Sequence, residues 1–344
     1  MNIEFLREPG YTYDLLYVFS WYFNKEKLEE DFVLTGFDDK EYLDEIAAKF
    51  LPISDELQVF FHFDDINQSV IWEKYYQYKY NAALQGEYDL NVVLKMLSDY
   101  GQVVENVPQF YFRELSAEEL AECRVSLPKV NQLIKNAKLP DNVKSALYSF
   151  VIDPVPVIQK LIEELQEKEK IHARLHEEDQ KVILERQEHF DYLRLVEDFK
   201  NQKNRSTDLN AFGKVCISFS VYNQYTVHWC IRRGIIFIIL GVDYQKALDY
   251  LTKQAIGPEL DTFGTAVSEK NRVEIMNYIL KKGEVTVKEV EQDLGFTAAN
   301  AYYHLNLMLR SGILSIRNQG RTVLYRLDKG YFKGLCEALR KYAE

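Results

Sequence analysis

Amide, phenol, hydroxyl and guanidinium side chains recur over residues 297–321, with Lys288 shortly before them. An asparagine amide can pair bidentately with adenine, and an alanine methyl can pack against the methyl group of thymine. Lysine, arginine and threonine side chains can contact phosphate oxygens. The candidate base contacts are Ala299, Asn300, Tyr302, Tyr303 and Asn306, and the candidate phosphate contacts are Thr297, Lys288, Arg310, Arg317 and Arg321.

Two short helices separated by a tight turn are predicted to position these residues. Thr286 and Glu289 have the T-x-x-E spacing of a reciprocal helix cap. Gly295 occupies a position that suits a left-handed helix terminator. After a three-residue turn, Thr297 can cap a second helix that extends to Gly312.

The second helix has one apolar face, and a hairpin is predicted after it. Ala301, Leu305 and Met308 recur at helical spacing and should be buried, which turns Tyr303 and its neighbours the other way. Residues 313–317 and 321–327 are short alternating segments on either side of Asn-Gln-Gly, a typical hairpin turn. The second segment begins with Arg321, which is therefore expected at the tip.

This pattern resembles the arsenic-repressor (ArsR/SmtB) family of bacterial winged-helix regulators over roughly residues 265–344. The matching pattern is T-x-x-x-A-Y-Y-H-L from Thr297, then Met308, S-G-I-L from Ser311 and G-R-x-x-x-Y-R-L from Gly320. The family commonly has S-x-x-x-V-S-x-H-L in the recognition helix and G-R-x-x-x-Y-x-L in the wing. Ala301 replaces Val, Tyr302 replaces Ser and Met308 replaces Leu. His304 matches a frequent family position, where it borders the buried stripe and is expected to have a structural role.

The resemblance implies a homodimer that reads double-stranded DNA with paired recognition helices. In the family, the first and last helices of the winged fold form the dimer interface. Here these helices correspond to residues 268–280 and 330–343, which both have an apolar face. Packing of these faces against the preceding part of the chain remains an alternative. The metal-binding residues of many family members are missing, so no metal or cofactor is expected.

Charge and length suggest two domains. Residues 263–344 contain 13 Lys and Arg and 9 Asp and Glu, a balance of +4, whereas the remaining residues have a balance of −15. This asymmetry is typical of a cationic DNA-binding domain attached to an acidic one. The predicted division is a helix-rich domain over residues 1–260 and a winged-helix domain over residues 261–344. The fold class is mainly α (α+β).

The first 260 residues contain no motif that indicates a function, so only their structure can be predicted. Aromatic residues are dense up to residue 112, and they could line a site for a small-molecule effector or form a packed core. Residues 157–203 contain no Gly or Pro and predict a long helix, with a polar middle that is compatible with a protruding arm or with a break. Residues 213–240 predict a small sheet, in which His228 and Cys230 are interpreted as strand residues.

The sequence thus favours a bacterial, cytoplasmic transcription regulator that binds double-stranded DNA as a homodimer, without catalytic residues or a membrane segment. We find no nucleophile elbow, phosphate-binding loop or HExxH motif. The Asp64-Asp65 pair after His62 is the one acidic cluster of interest, and a helix cap explains it more simply. The alternatives are a winged helix that binds proteins in a non-catalytic scaffold, and an unrecognised enzymatic activity in the first 260 residues.

Overall fold

The computed structural model describes residues 2–35, 39–64, 68–76, 90–113, 115, 118–119, 126–201, 207–232, 234–253, 260–319 and 322–343. These residues form a mainly α structure with a four-stranded and a two-stranded sheet, as predicted for the fold class. Within this part of the chain, no helix is long and apolar enough to cross a membrane. We refer to residues 2–253 as the N-terminal region and to residues 260–343 as the C-terminal region.

The N-terminal region combines helices of very different length with one sheet. Its strands are β1 (Asn2–Phe5), β2 (Lys214–Ser220), β3 (Val227–Arg232) and β4 (Ile235–Gly241). Its α-helices are α1 (Glu8–Thr35), α2 (Lys40–Ala48), α3 (Gln58–Phe61), α4 (Leu90–Leu97), α5 (Tyr100–Tyr111), α6 (Leu127–Asn136), α7 (Asp141–Ile152), α8 (Pro154–Glu188), α9 (Tyr192–Asn201) and α10 (Tyr244–Lys253). Short 3₁₀ turns cover Asp55–Leu57 and Leu209–Ala211, and Ile71–Tyr76 is a π-helix.

The sheet has the strand order β1-β2-β4-β3. Strands β1, β2 and β4 are parallel, and β3 pairs with β4 in the antiparallel direction. Strand β1 was not predicted, because four residues carry too little pattern and their partners begin at Lys214. The sheet therefore joins the first residues of the chain to a segment more than two hundred residues later.

Helix α1 lies directly against β2. The backbone N–H of Gly10 donates a hydrogen bond to Ser218 Oγ at 2.7 Å. A Cβ atom at Gly10 would lie 1.9 Å from the carbonyl oxygen of Phe219, so only glycine allows this approach. The helix is kinked at Asn24, whose side chain hydrogen-bonds to the backbone of Phe61 and Phe63.

A buried polar network fixes α1 and α8 to the end of β2. Asp14 accepts hydrogen bonds from Ser220 Oγ, from Val221 N at 2.9 Å and from Tyr222 N at 3.3 Å. On α8, His172 hydrogen-bonds to Tyr222 and to the backbone of α1. Burial raises the pKa of Asp14 to about 7, although the bonds from Ser220 and the two amides oppose this shift. These partners let polar groups lie in the interior.

The predicted long helix is divided into α8 and α9 at residues 189–191. The polar middle of the predicted helix does not protrude, because His172 and His176 in this part are fully buried against α1. Of the two alternatives that the sequence leaves open, a protruding arm or a break, the structure shows a break, which lies after the polar middle and not within it. The two histidines of this part pack on the network around Asp14 instead of lying on a solvated surface.

Large side chains from most of these elements form one core in the N-terminal region. Trp21, Tyr75 and Tyr76 are almost completely buried in it. The phenol of Tyr76 donates to the backbone oxygen of Pro9 at 3.0 Å, and Trp72 Nε1 donates to Ser20 Oγ at 2.8 Å. The dense aromatic residues of the early chain are thus largely core residues, with their polar atoms bonded.

The C-terminal region has its own smaller core. Its elements are α11 (Leu260–Val267), α12 (Lys270–Lys282), α13 (Val287–Leu294), α14 (Ala298–Arg310), β5 (Leu314–Gln319), β6 (Thr322–Leu327) and α15 (Lys329–Arg340). Trp229 of β3 packs against this core and also against the N-terminal core. The two cores are therefore adjacent.

Candidate nucleic-acid interface

Helix α13 begins and ends as the sequence predicts. Thr286 Oγ1 accepts from the backbone N–H of Glu289 at 3.1 Å, and the Glu289 carboxylate accepts from Thr286 N at 2.8 Å. This reciprocal cap satisfies two donors that the first helical turn would otherwise leave unpaired. Gly295 ends the helix in the left-handed region, with φ of 75°. The direction of the chain entering α14 is fixed by these local contacts.

Helix α14 is capped by Thr297 and buries the predicted stripe. The hydroxyl of Thr297 accepts from Asn300 N at 3.2 Å. Ala301, Leu305 and Met308 are fully buried in the C-terminal core. Helix geometry turns Asn300 and Tyr303 away from this stripe, although the Tyr303 ring and the buried Leu307 also contact the C-terminal core.

Strands β5 and β6 form the predicted hairpin directly after α14. They pair in the antiparallel direction from Leu314 opposite Leu327 to Gln319 opposite Thr322. Val285, just before α13, exchanges two backbone hydrogen bonds with Tyr325 of β6, at 2.9 and 2.7 Å. The hairpin is thereby attached to the start of the helix pair.

The structure describes the side chains of three of the five predicted phosphate contacts. Lys288, Thr297 and Arg317 are exposed, which leaves them accessible to an external partner. Arg317 forms an ion pair with Glu284, with Nε to Oε1 at 3.0 Å. The side chains of Arg310 and Ala299, and the whole of Arg321, lie outside the described part of the structure.

The predicted base contacts meet the N-terminal region. Asn300 Nδ2 donates to the backbone oxygen of Arg113 at 2.9 Å. The guanidinium carbon of Arg113 lies 4.1 Å from the centre of the Tyr303 ring, a cation–π contact. Both side chains are thus covered by the N-terminal region, and the ring of Tyr303 also packs against the C-terminal core. Tyr302 and Asn306 are half-buried.

Arg113 itself is held from several sides within the N-terminal region. Its Nη1 donates to Asp64 Oδ2 at 2.6 Å, and its Nη2 contacts Glu73. The ring of Phe110 lies on it, with 4.2 Å from the guanidinium carbon to the ring centre. Burial opposes its charge, but Glu73 and Asp64 outweigh this effect and raise the pKa of Arg113. We call these four residues, together with Asn300 and Tyr303, the Arg113 clasp.

The Arg113 clasp was not predicted from the sequence. Asp64 was expected to cap a helix, and its carboxylate instead accepts from Arg113 and from the backbone of Gln68. Asp65 lies outside the described residues. Arg113 follows Phe110 and Tyr111 at the end of α5, and no local pattern links it to a segment 187 residues later.

His304 is buried next to this contact. Its ring lies against Phe296 and Tyr303, and its Nε2 is 3.8 Å from a carboxylate oxygen of Glu269. Burial, with the nearby Arg272 charge, lowers the pKa of His304 to about 4. The side chain is therefore neutral at pH 7 and covered, a position that suits packing better than base reading.

A groove lies between α12 and α15, the two helices that the sequence suggests for dimerisation. It has a volume of about 1020 Å³, and its apolar lining includes Met276, Leu280 and Phe332. Leu280 is 70% exposed, and Tyr342 just beyond α15 is 79% exposed. The described N-terminal residues therefore leave Leu280 and Tyr342 open to a partner, against the alternative that this region seals both faces.

Among the residues that the structure describes, no three His, Cys, Asp or Glu side chains come together in a way that could hold a metal ion. Cys230 and Cys216 are buried strand residues, and Cys336 is exposed on α15.

Comparison with known proteins gives a local similarity. No protein-family model matches the chain. The chain is similar to the "Cadmium resistance transcriptional regulatory protein CadC homolog" of Staphylococcus aureus, with 35% identity over 72 residues. The matched part is 21% of this chain and covers 60% of the length of that relative. About a fifth of the chain therefore has a counterpart in a transcriptional regulator.

Proposed function

We propose that this chain is a non-catalytic transcriptional regulator that reads double-stranded DNA with a winged helix-turn-helix. In this proposal α13 and α14 form the helix-turn-helix, with α14 as the recognition helix, and β5 and β6 form the wing. One observation carries it: the capped helix α13, the turn at Gly295, helix α14 and the hairpin follow one another directly in the structure. The local similarity to a transcriptional regulator supports the same conclusion.

The charge distribution supports a nucleic-acid partner. The C-terminal region is positively charged overall, whereas the rest of the chain is strongly negative. Lys288 on α13 and Arg317 on β5 are exposed, and exposed cationic side chains can bind phosphates. An acidic remainder would repel DNA from other surfaces, and this would direct the duplex to the C-terminal region.

The groove between α12 and α15 supports a homodimer. Exposed apolar side chains such as Leu280 and Tyr342 are costly to leave in water, and a second copy of the chain would cover them. Two recognition helices related by a two-fold axis would then read half-sites about 34 Å apart, one turn of DNA. The N-terminal region would serve dimerisation or the sensing of a small-molecule effector.

A selection from random duplex DNA with the full-length protein, at about 50 and 200 mM salt, tests the proposal. We expect enrichment of a two-fold-related site, with affinity that falls steeply as salt rises. Arg321→Ala should weaken binding to all duplexes, because a phosphate contact carries no sequence information. Asn300→Ala or Tyr303→Ala should change the preferred sequence. Arg186→Ala is the matched control, since Arg186 pairs with Asp243 far from α14 in the sequence.

The second candidate function is binding of a protein partner by the same helix. It is favoured by the fact that Asn300 and Tyr303 already contact protein in this structure. The two functions differ in salt dependence and in specificity. Because Asn300 and Tyr303 are covered in this structure, the selection is also run with Arg113→Lys, which loses the planar group on Tyr303. Failure of both proteins to enrich any duplex at the lower salt concentration would reject the DNA-binding proposal and leave the protein-binding one.

A further inference from the structure

The N-terminal region contacts two residues on the face of α14 that the proposed function assigns to DNA, Asn300 and Tyr303. Asn300 donates its amide hydrogen to Arg113, and the ring of Tyr303 lies under the Arg113 guanidinium. These two side chains lie in the first two turns of the helix, the part that enters the major groove in helix-turn-helix proteins. Their hydrogen-bonding and stacking surfaces are therefore in use.

Neighbouring side chains of the N-terminal region fix the position of Arg113. Asp64, Glu73 and Phe110 fix Arg113 from within the N-terminal region, and all four side chains are mostly buried. A guanidinium held by two carboxylates has a defined plane, so it can stack on an aromatic ring with little further loss of side-chain freedom. The N-terminal region thus offers Tyr303 an ordered surface.

DNA cannot occupy the same face at the same time. An α-helix with its side chains is about 10–12 Å across, and the major groove is about 12 Å wide. A groove that admits α14 has no space for a second layer of protein on the reading face. The residues before 263 also have a net charge of −15, which repels phosphates from the contact.

We infer that the Arg113 clasp is an autoinhibitory contact: α14 either docks on the N-terminal region or enters DNA, and binding requires the clasp to open. This inference rests on the proposed function and adds its regulation. The apparent dissociation constant for DNA equals the intrinsic constant divided by the fraction of molecules with an open clasp. Any change that loosens the clasp without touching the reading face therefore tightens DNA binding.

Arg113→Lys in the full-length protein is the main test. Lysine keeps the positive charge beside Asp64 and Glu73, but it loses the planar group that stacks on Tyr303. Asp64→Asn is the second variant, because it weakens the hold on Arg113 and still offers an oxygen to the backbone N–H of Gln68. Arg194→Lys is the matched control, since Arg194 also pairs with two carboxylates, those of Asp198 and Asp249.

Each variant and the wild type are titrated with the duplex enriched by the selection, and the selection is repeated with Arg113→Lys. We expect Arg113→Lys and Asp64→Asn to bind about 5- to 10-fold more tightly than the wild type, given the strength of a desolvated cation–π contact. Arg194→Lys should bind as the wild type does. The salt slope of Arg113→Lys should equal that of the wild type, because the phosphate contacts are unchanged.

Two results would overturn the inference, and they are distinguishable. Equal affinity of wild type, Arg113→Lys and Asp64→Asn for a specific duplex would reject autoinhibition and leave the proposed function intact. Absence of an enriched duplex for both the wild type and Arg113→Lys would reject the proposed function together with the inference. Thermal unfolding of each variant shows that it is folded, and Asp64→Asn provides the test if Arg113→Lys is not.

Discussion

The two regions of this protein are stabilised over very different distances along the chain. In the N-terminal region, Asp14 bonds to Val221 and the amide of Gly10 bonds to Ser218, each about two hundred residues away. In the C-terminal region, the helix caps at Thr286 and Thr297 act on residues three positions later. The C-terminal elements therefore begin at sites set by their own sequence, whereas the sheet and α1 depend on each other.

This difference determines what a substitution does in each region. A change at a close contact between distant segments should disrupt the whole N-terminal core, because β1, α1 and β2 form together. A change at a local cap should weaken one helix only. The three tryptophans, Trp21, Trp72 and Trp229, all lie in the N-terminal region, but Trp229 also contacts the C-terminal core. Fluorescence is therefore measured in a Trp229→Phe background, where it separates the unfolding of the N-terminal region from the far-ultraviolet circular dichroism of the whole chain.

Gly10→Ala should have the largest effect. Its new Cβ would lie 1.9 Å from the backbone oxygen of Phe219, so α1 must move away from β2. We expect a loss of about 3 kcal/mol or more in the free energy of unfolding, measured by urea titration with tryptophan fluorescence.

Gly264→Ala is the matched control in the C-terminal region. Gly264 lies in α11, and a Cβ atom added there would meet no other atom within 4 Å, so alanine should stabilise this helix by about 0.5–1 kcal/mol. Wild-type stability of Gly10→Ala would contradict the close packing of α1 on β2.

The pH response should come next in size. The pKa of His304 is lowered to about 4, from an ordinary value near 6.5, because burial disfavours the charged ring. Its contribution to stability is present above about pH 6.5 and is lost as the pH falls through 4. Between pH 7 and 5, the wild type should lose about 2 kcal/mol through this residue.

His304→Gln removes the titrating ring and should reduce that loss, as followed by circular dichroism in urea at the two pH values. His172 and His176 also have lowered pKa values, about 3 and 4, and they make the N-terminal region sensitive to acid in the same direction. Asp14 acts in the opposite sense, since its raised pKa gives stability that is lost as the pH rises through about 7. An unchanged pH response in His304→Gln would mean that His304 is not a buried neutral side chain.

Thr286→Ala should have the smallest effect. It removes the hydroxyl that accepts from Glu289 N and should cost about 1 kcal/mol. Circular dichroism should detect the loss, whereas the midpoint of the tryptophan fluorescence transition should remain unchanged. Thr286→Ser keeps the hydroxyl and is the control. A shift of both signals together would show that the two regions unfold as one unit.

The elements that the sequence predicts correctly are those held by contacts between residues close together in the chain. The cap at Thr286, the terminator Gly295, the buried stripe of α14 and the hairpin each depend on residues within a few positions of one another, and the sequence contains all of them. The strand β1 and the Arg113 clasp join segments whose spacing leaves no periodic pattern. The exposed face of α14 was predicted from helix geometry alone, and geometry does not indicate that another part of the chain covers it.

The pairing of β1 with β2 has a consequence for the order of events during synthesis. Residues 2–5 are synthesised well before their partners, because residues 214–217 are added more than two hundred residues later. The sheet cannot be completed, and α1 cannot pack against it, before the segment that contains β2 has been synthesised. The C-terminal helices are synthesised after this segment, and they can form from local contacts beside an N-terminal region that already has all of its strands.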